Sequence, residues 1–175
     1  MAGLTFLQNR SLTDITSLPS GVPVGKIGQV VQTVKTDTFN TSSTSYTDIT
    51  GMSLSITPTS ISSKILIKTC ISWGGSQNLY GYGKFVRNST DIFMGDSGGG
   101  NRVSATFPME HYDDGSAVYN CFVASSEFLD SPSTTSAITY KVQMASTSGT
   151  SYIGRRTDTD ARRMSSSITA MEVLA

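Results

Sequence analysis

The stretch Gly95-Asp-Ser-Gly-Gly99 holds the clearest promise of chemistry in this chain. GDSGG surrounds the nucleophile in one large class of serine proteases. There an imidazole takes the serine proton and a carboxylate orients the imidazole, in the chain order His, Asp, Ser. This chain has one histidine, His111, and it follows Ser97, so that order cannot form. A reordered set would draw on Ser97, His111 and Asp113 or Asp114. Between serine and histidine, however, Val103–Phe107 reads as a strand, and at ~3.3 Å per residue it spans about 15 Å, placing its flanking loops at opposite ends. The stretch is therefore read as a connection between strands. Gly98, Gly99 and Gly100 supply the free φ angles that such a connection needs. No catalytic residue is assigned, and the chain is not expected to be an enzyme.

The other clusters carry weaker chemistry. Arg155-Arg-Thr-Asp-Thr-Asp-Ala-Arg-Arg163 is the densest run of charge. Arg155, Arg156, Arg162 and Arg163 are suited to an acidic or phosphate partner. Asp158 and Asp160 lie between them, so an exposed loop with internal pairing and a protein contact come ahead of nucleic acid or glycan. Asp96, Asp113-Asp114-Gly115 and the Asp158/Asp160 pair offer oxygen ligands without EF-hand spacing, and are read as solvated turns. One histidine and two distant cysteines make no transition-metal set. Neither GxxxxGK[ST] nor a strand–GxGxxG–helix unit occurs, so no cofactor is expected. Trp73, Tyr80, Tyr82 and Phe85 punctuate a glycine-rich segment. They are read first as packing or an oligomer contact, and second as rings on a loop that stack on a sugar.

These residues need a scaffold, and its signal is two-residue alternation. In Lys64–Trp73, Ile65, Ile67, Ile71 and Trp73 fall on one face, Lys68 and Ser72 on the other. In Ala137–Met144, Ile138, Tyr140, Val142 and Met144 oppose Thr139, Lys141 and Gln143. Each segment offers one face to a core and one to water. Further strands are expected at 28–35, 46–56, 84–87, 92–94, 103–107, 117–128, 151–154 and 167–174, separated by Pro, Gly, Asn and Asp turns. About ten short strands imply an all-β antiparallel sandwich or barrel. Cys70 and Cys121 lie in these strands and are expected as two packed thiols, since free cysteine tends to be buried.

Composition agrees with a domain of this kind. Thirteen basic residues balance thirteen acidic ones, so there is no broad attraction to nucleic acid or to a membrane surface. Only 15% of the 175 residues are charged, while 28 Ser and 23 Thr supply a surface wetted by hydroxyls. The opening residues lack the charged start and long apolar run of a signal peptide, and synthesis in a cytoplasm is expected. Residues 1–26 show no alternation but carry Leu4, Phe6, Leu7, Leu12, Ile15 and Leu18, ahead of a joint containing Pro19, Gly21, Pro23 and Gly25. They are read as an extended arm that lies on a neighbouring surface, with residues 27–175 as the domain.

Three segments then give a resemblance: Gly28-Gln-Val-Val-Gln-Thr-Val-Lys-Thr-Asp-Thr-Phe39, Ser131-Pro-Ser-Thr-Thr-Ser-Ala-Ile-Thr-Tyr-Lys-Val-Gln143 and Ser165-Ser-Ser-Ile-Thr-Ala-Met-Glu-Val-Leu174. In this order and spacing the chain, from about Gly28 to its end, resembles a β-domain of tailed-phage structural proteins. The resemblance implies a jelly roll with the topology of C1q and tumour necrosis factor heads, and no catalytic residues. The expectation is an accessory virion protein, a homotrimer that decorates or cements a capsid. Leu4, Phe6, Leu7, Ile15 and Leu18 would anchor its arm to the major capsid protein or another virion protein. The alternative is a receptor- or glycan-binding module at the tip of a tail fibre. Trp73, Tyr80, Tyr82, the four arginines and the Gly95–Asn101 loop would then make the contact.

Overall fold

A computed structural model describes residues 26–100, 102–112, 120–157 and 162–174. They form eleven strands and no helix: β1 Ile27–Lys35, β2 Phe39–Thr41, β3 Thr47–Ile56, β4 Lys64–Gly75, β5 Leu79–Arg87, β6 Thr90–Ile92, β7 Phe107–His111, β8 Phe122–Asp130, β9 Ile138–Ser148, β10 Ser151–Ile153 and β11 Ser166–Val173. All pairings are antiparallel. The first sheet is built on β1-β11-β4-β8, with β10 and β2 beside the last residues of β4; the second is built on β3-β9-β5-β7, with β6 beside β5.

Numbering the eight principal strands in chain order gives first-eighth-third-sixth in one sheet and second-seventh-fourth-fifth in the other. That interleaving is a jelly roll, two antiparallel sheets wound from paired Greek keys. The all-β antiparallel sandwich expected from the alternation is therefore present, with the jelly-roll winding that the resemblance implies. Its core lies between the sheets. Ile65, Ile67, Ile71 and Trp73 of β4 face Ile138, Tyr140, Val142 and Met144 of β9, with Met52, Phe85, Met109 and Ile168 between them.

Four local readings are corrected. The strand expected at Val103–Phe107 runs instead from Phe107 to His111. Before it, the Thr106 amide donates to the Gly83 carbonyl and its hydroxyl to the Phe93 carbonyl, holding the preceding residues off the ladder. The segment Trp73–Phe85 is no loop: it is the end of β4, a short turn at residues 76–78, and most of β5. Cys70 and Cys121 are both exposed. On β4, Cys70 shares the outward parity of Lys68, and pleat geometry overrides the usual preference of the thiol. Ser72 shares that parity but is buried, because residues 165–166 fold over it: its amide donates to the Ser166 hydroxyl, and its own hydroxyl to the Ser165 carbonyl, both at 3.0 Å.

Two polar clusters join the layers. Asp130, at the end of β8, accepts Nη1 of Arg87 at 2.8 and 2.9 Å and the hydroxyl of Tyr140 at 2.6 Å, so one carboxylate ties the first sheet to β5 and β9 of the second. Glu172 of β11 is fully buried. It accepts the Gln29 amide at 2.7 Å, the Thr59 backbone amide at 2.6 Å and the Thr59 hydroxyl at 2.7 Å.

Candidate functional site

The site is best built from β5. Its inward positions include Gly81 and Gly83. A Cβ at Gly83 would lie 2.3 Å from the ring of Phe107, so the missing side chain is what lets β7 close against β5. With these glycines facing in, Tyr80 and Tyr82 face out. In register with them across β7 stand Glu110 and Pro108.

A groove of about 430 Å³ opens over this corner of the second sheet. Tyr80 and Pro108 supply its floor, Val103–Thr106 and Gly95-Asp96 one wall, and Glu110 and Thr147 the other end. The first wall is pinned in several places. The Gly95 amide donates to the Ala105 carbonyl at 2.9 Å, and the Tyr46 hydroxyl to the Ser104 carbonyl at 2.8 Å. The ring of Tyr46 stands edge-on to Tyr82 with centroids 5.4 Å apart, and Nζ of Lys84 lies 4.1 Å over the Tyr46 ring while pairing with Asp91 at 2.7 Å. Burial, then the nearby Tyr82 and Asp91, push the Tyr46 phenol up to about 12, so it remains a neutral donor at physiological pH.

Only part of the aromatic set expected here reaches the groove. Tyr80 is 46% exposed and presents its ring; Tyr82 is 8% exposed and serves as a support. Trp73, at 5%, belongs to the core, tilted against Phe122 at 4.7 Å, and does not line this groove. The two segments singled out from sequence, the aromatic one and the Gly95–Asn101 loop, do meet, through Tyr80 and Gly95-Asp96. Glu110, Thr147 and Tyr46 were missed. The alternation of β7 would have turned Glu110 outward had its strand been placed four residues later.

The GDSGG stretch behaves as a connection. Gly99 and Gly100 take φ of +71° and +68°, the left-handed region that glycine enters without strain. Ser97 is exposed, whereas both nitrogens of His111 are buried with no hydrogen-bond partner among the described residues. His111 packs instead against Trp73 and Phe122. Neither Ser97 nor a described carboxylate engages the imidazole.

The first part of the arginine run, Arg155–Thr157, sits beside the end of β4. Arg155 lies 4.1 Å over the ring of Tyr152 and donates to the carbonyls of Arg156 and Thr157, so its charge is occupied locally. Arg156 is half-buried; Arg162 and Arg163 are exposed. Asp113, Asp114, Asp158 and Asp160 lie outside the described residues, as do the arm residues Leu4, Phe6, Leu7, Ile15 and Leu18. Among the described residues no group of three or more His, Cys, Asp or Glu is placed to hold a metal.

The domain is thus an antiparallel jelly-roll sandwich with an open, acidic, partly aromatic groove. No known family matches the chain. Comparison with curated proteins gives no match. Among solved structures it is similar to a chain in the structure of infectious bursal disease virus Gt strain, with a TM-score of 0.39 and 12% identity over 84% of this chain. This chain spans 38% of that one.

Proposed function

We propose that this chain is a non-enzymatic accessory virion protein, a jelly roll that associates as a homotrimer and decorates or cements a phage capsid through residues 1–26. The observation that carries the reading is the outer face of the first sheet. Val30, Met171, Leu66 and Leu129 lie side by side across β1, β11, β4 and β8. Ile27 and Val173 lie in the next row. Val30 is 56% and Ile27 51% exposed. An apolar stripe that crosses four paired strands is the mark of a covered surface rather than of a solvated one. Ring symmetry lets identical patches close on one another.

The arm adds attachment. Leu4, Phe6, Leu7, Ile15 and Leu18 would each contribute about 1.5–3 kcal/mol on full burial, before ordering costs. Repeated over the copies on a shell, this holds a capsid without a covalent bond. The test is binding to purified capsids. The full chain is expected to co-sediment with them, and deletion of residues 1–20 to weaken binding at least tenfold. Undiminished binding by the deleted chain would remove the arm from the account.

A second reading, a receptor-binding module at a tail-fibre tip, is favoured by one observation. Lys26, which leads into the domain, pairs with Leu174 at the Lys64 end of β4, whereas Tyr80 and Glu110 lie at the Gly75 end. The twelve residues of β4 separate these ends by roughly 36 Å at ~3.3 Å per residue. A domain attached at one end would present its groove at the other.

A further inference from the structure

We infer that the groove over Tyr80 binds an uncharged saccharide. The inference rests on the second reading's premise that the groove is a recognition surface, and adds the chemical class it recognises. A pyranose has two faces of different character. Its C–H face stacks on an aromatic ring, and its rim of hydroxyls needs acceptors and donors held in place. The groove offers both. The Tyr80 ring is open to solvent on the floor, beside the apolar surfaces of Pro108 and Val103. Around it stand the carboxylates of Asp96 and Glu110, acceptors for pairs of hydroxyls, and the hydroxyl of Thr147, which already donates to the Tyr80 carbonyl at 3.2 Å. Among the described residues neither Asp96 nor Glu110 is in an ion pair, so their oxygens are available.

Charge decides which sugars fit. Among the described residues no Lys or Arg lines the groove, and the cation on β5 beside it, Lys84, is turned to Asp91 and the Tyr46 ring. Sialylated, sulfated or phosphorylated glycans would bring like charge to two unneutralised carboxylates and are rejected. A cationic peptide is the competing ligand for an acidic, aromatic groove. It is disfavoured because the chain carries no net charge to steer it, and exposed pairs of this kind are screened by salt. The hydrogen bonds at Ser104 and Ala105 fix that wall of the groove, so a small ligand need not order it to bind.

The test uses the full chain on an array of neutral hexose and N-acetylhexosamine glycans, sialylated and phosphorylated glycans, and oligolysine, with whole host cells in parallel. Neutral glycans are expected to bind, with affinity little changed between low and physiological salt. Tyr80→Ala, a substitution at an exposed ring, should weaken that binding at least tenfold. Tyr80→Phe should retain it within about threefold, since the stacking face survives. Binding of anionic glycans or oligolysine in place of neutral ones overturns the inference. If cells bind through Tyr80 while no neutral glycan does, the recognition reading stands and the saccharide assignment falls. If neither cells nor any glycan binds, both fall.

Discussion

Asp130→Ala is expected to lower the unfolding free energy by about 3–5 kcal/mol, the range for removing one partner of a buried, hydrogen-bonded ion pair. Asp130 is 5% exposed and holds three contacts at once, two from Arg87 and one from Tyr140. Without the carboxylate, the guanidinium loses its counter-charge while three-quarters covered. The Tyr140 hydroxyl also loses its partner at a core position that is 1% exposed. Burial first, then the hydrogen bond to Asp130 and its charge, hold the Tyr140 phenol well above its ordinary range, so in the intact chain it is a neutral donor to the carboxylate. Tyr140→Phe removes only the hydroxyl and leaves Arg87 paired; it should cost about 1 kcal/mol. Urea unfolding of the three proteins measures the difference. An Asp130→Ala loss no larger than that of Tyr140→Phe would show that the carboxylate does not join the sheets.

The second large effect concerns acid. Burial opposes the charge on Glu172, but the hydrogen bonds from Gln29 and Thr59 outweigh it, and the carboxyl is pulled from 4.5 down to about 2. A group with a depressed folded pKa adds stability above its unfolded value and loses it as the proton binds. The contribution is therefore complete above about pH 4.5 and is lost between about 4.5 and 2. At ~1.4 kcal/mol per unit it amounts to roughly 3 kcal/mol. Glu172→Gln should cost about that much at pH 7 and flatten the stability profile across the same window. An unchanged acid limb in the variant would assign acid sensitivity to other groups. Glu172 lies at the end of the sheet where Lys26 joins, clamping β1 and residues 57–59 to β11. Acid is thus expected to loosen the end of the sheet that holds Lys26 and Leu174 first.

Much of this fold was legible because its strands alternate cleanly. Ile65, Ile67, Ile71 and Trp73, and Ile138, Tyr140, Val142 and Met144, all face the core as their parity requires. Alternation fails where a pleat is covered from outside or where turn chemistry competes. Ser72 is buried by a loop that strand periodicity does not see. Tyr80–Phe85 reads as a glycine-rich loop because its inward positions are glycines, and their purpose, room for Phe107 and Met109, depends on a strand some 25 residues away. Glu172 and Asp130 show the same limit. Each sits at an inward position of its strand, which predicts an apolar residue. Each is tolerated because partners distant in sequence satisfy it: Gln29 and Thr59 for one, Arg87 for the other. The groove shares this origin. Tyr80 and Gly95-Asp96 were visible separately, but their meeting depends on the pairing of β5 with β7 and on the clamps at Ser104, Ala105 and Thr106.

The proposal that this jelly roll works as a self-associating structural protein is tested most directly by its mass in solution. Sedimentation equilibrium of the full chain at micromolar concentration is predicted to give three times the chain mass. Leu66→Asp with Met171→Asp, at half-buried positions in the centre of the apolar stripe, is predicted to give one chain mass with an unchanged β-sheet circular dichroism spectrum. A wild-type chain that sediments as a monomer, or a doubly substituted chain that remains a trimer, would contradict the account.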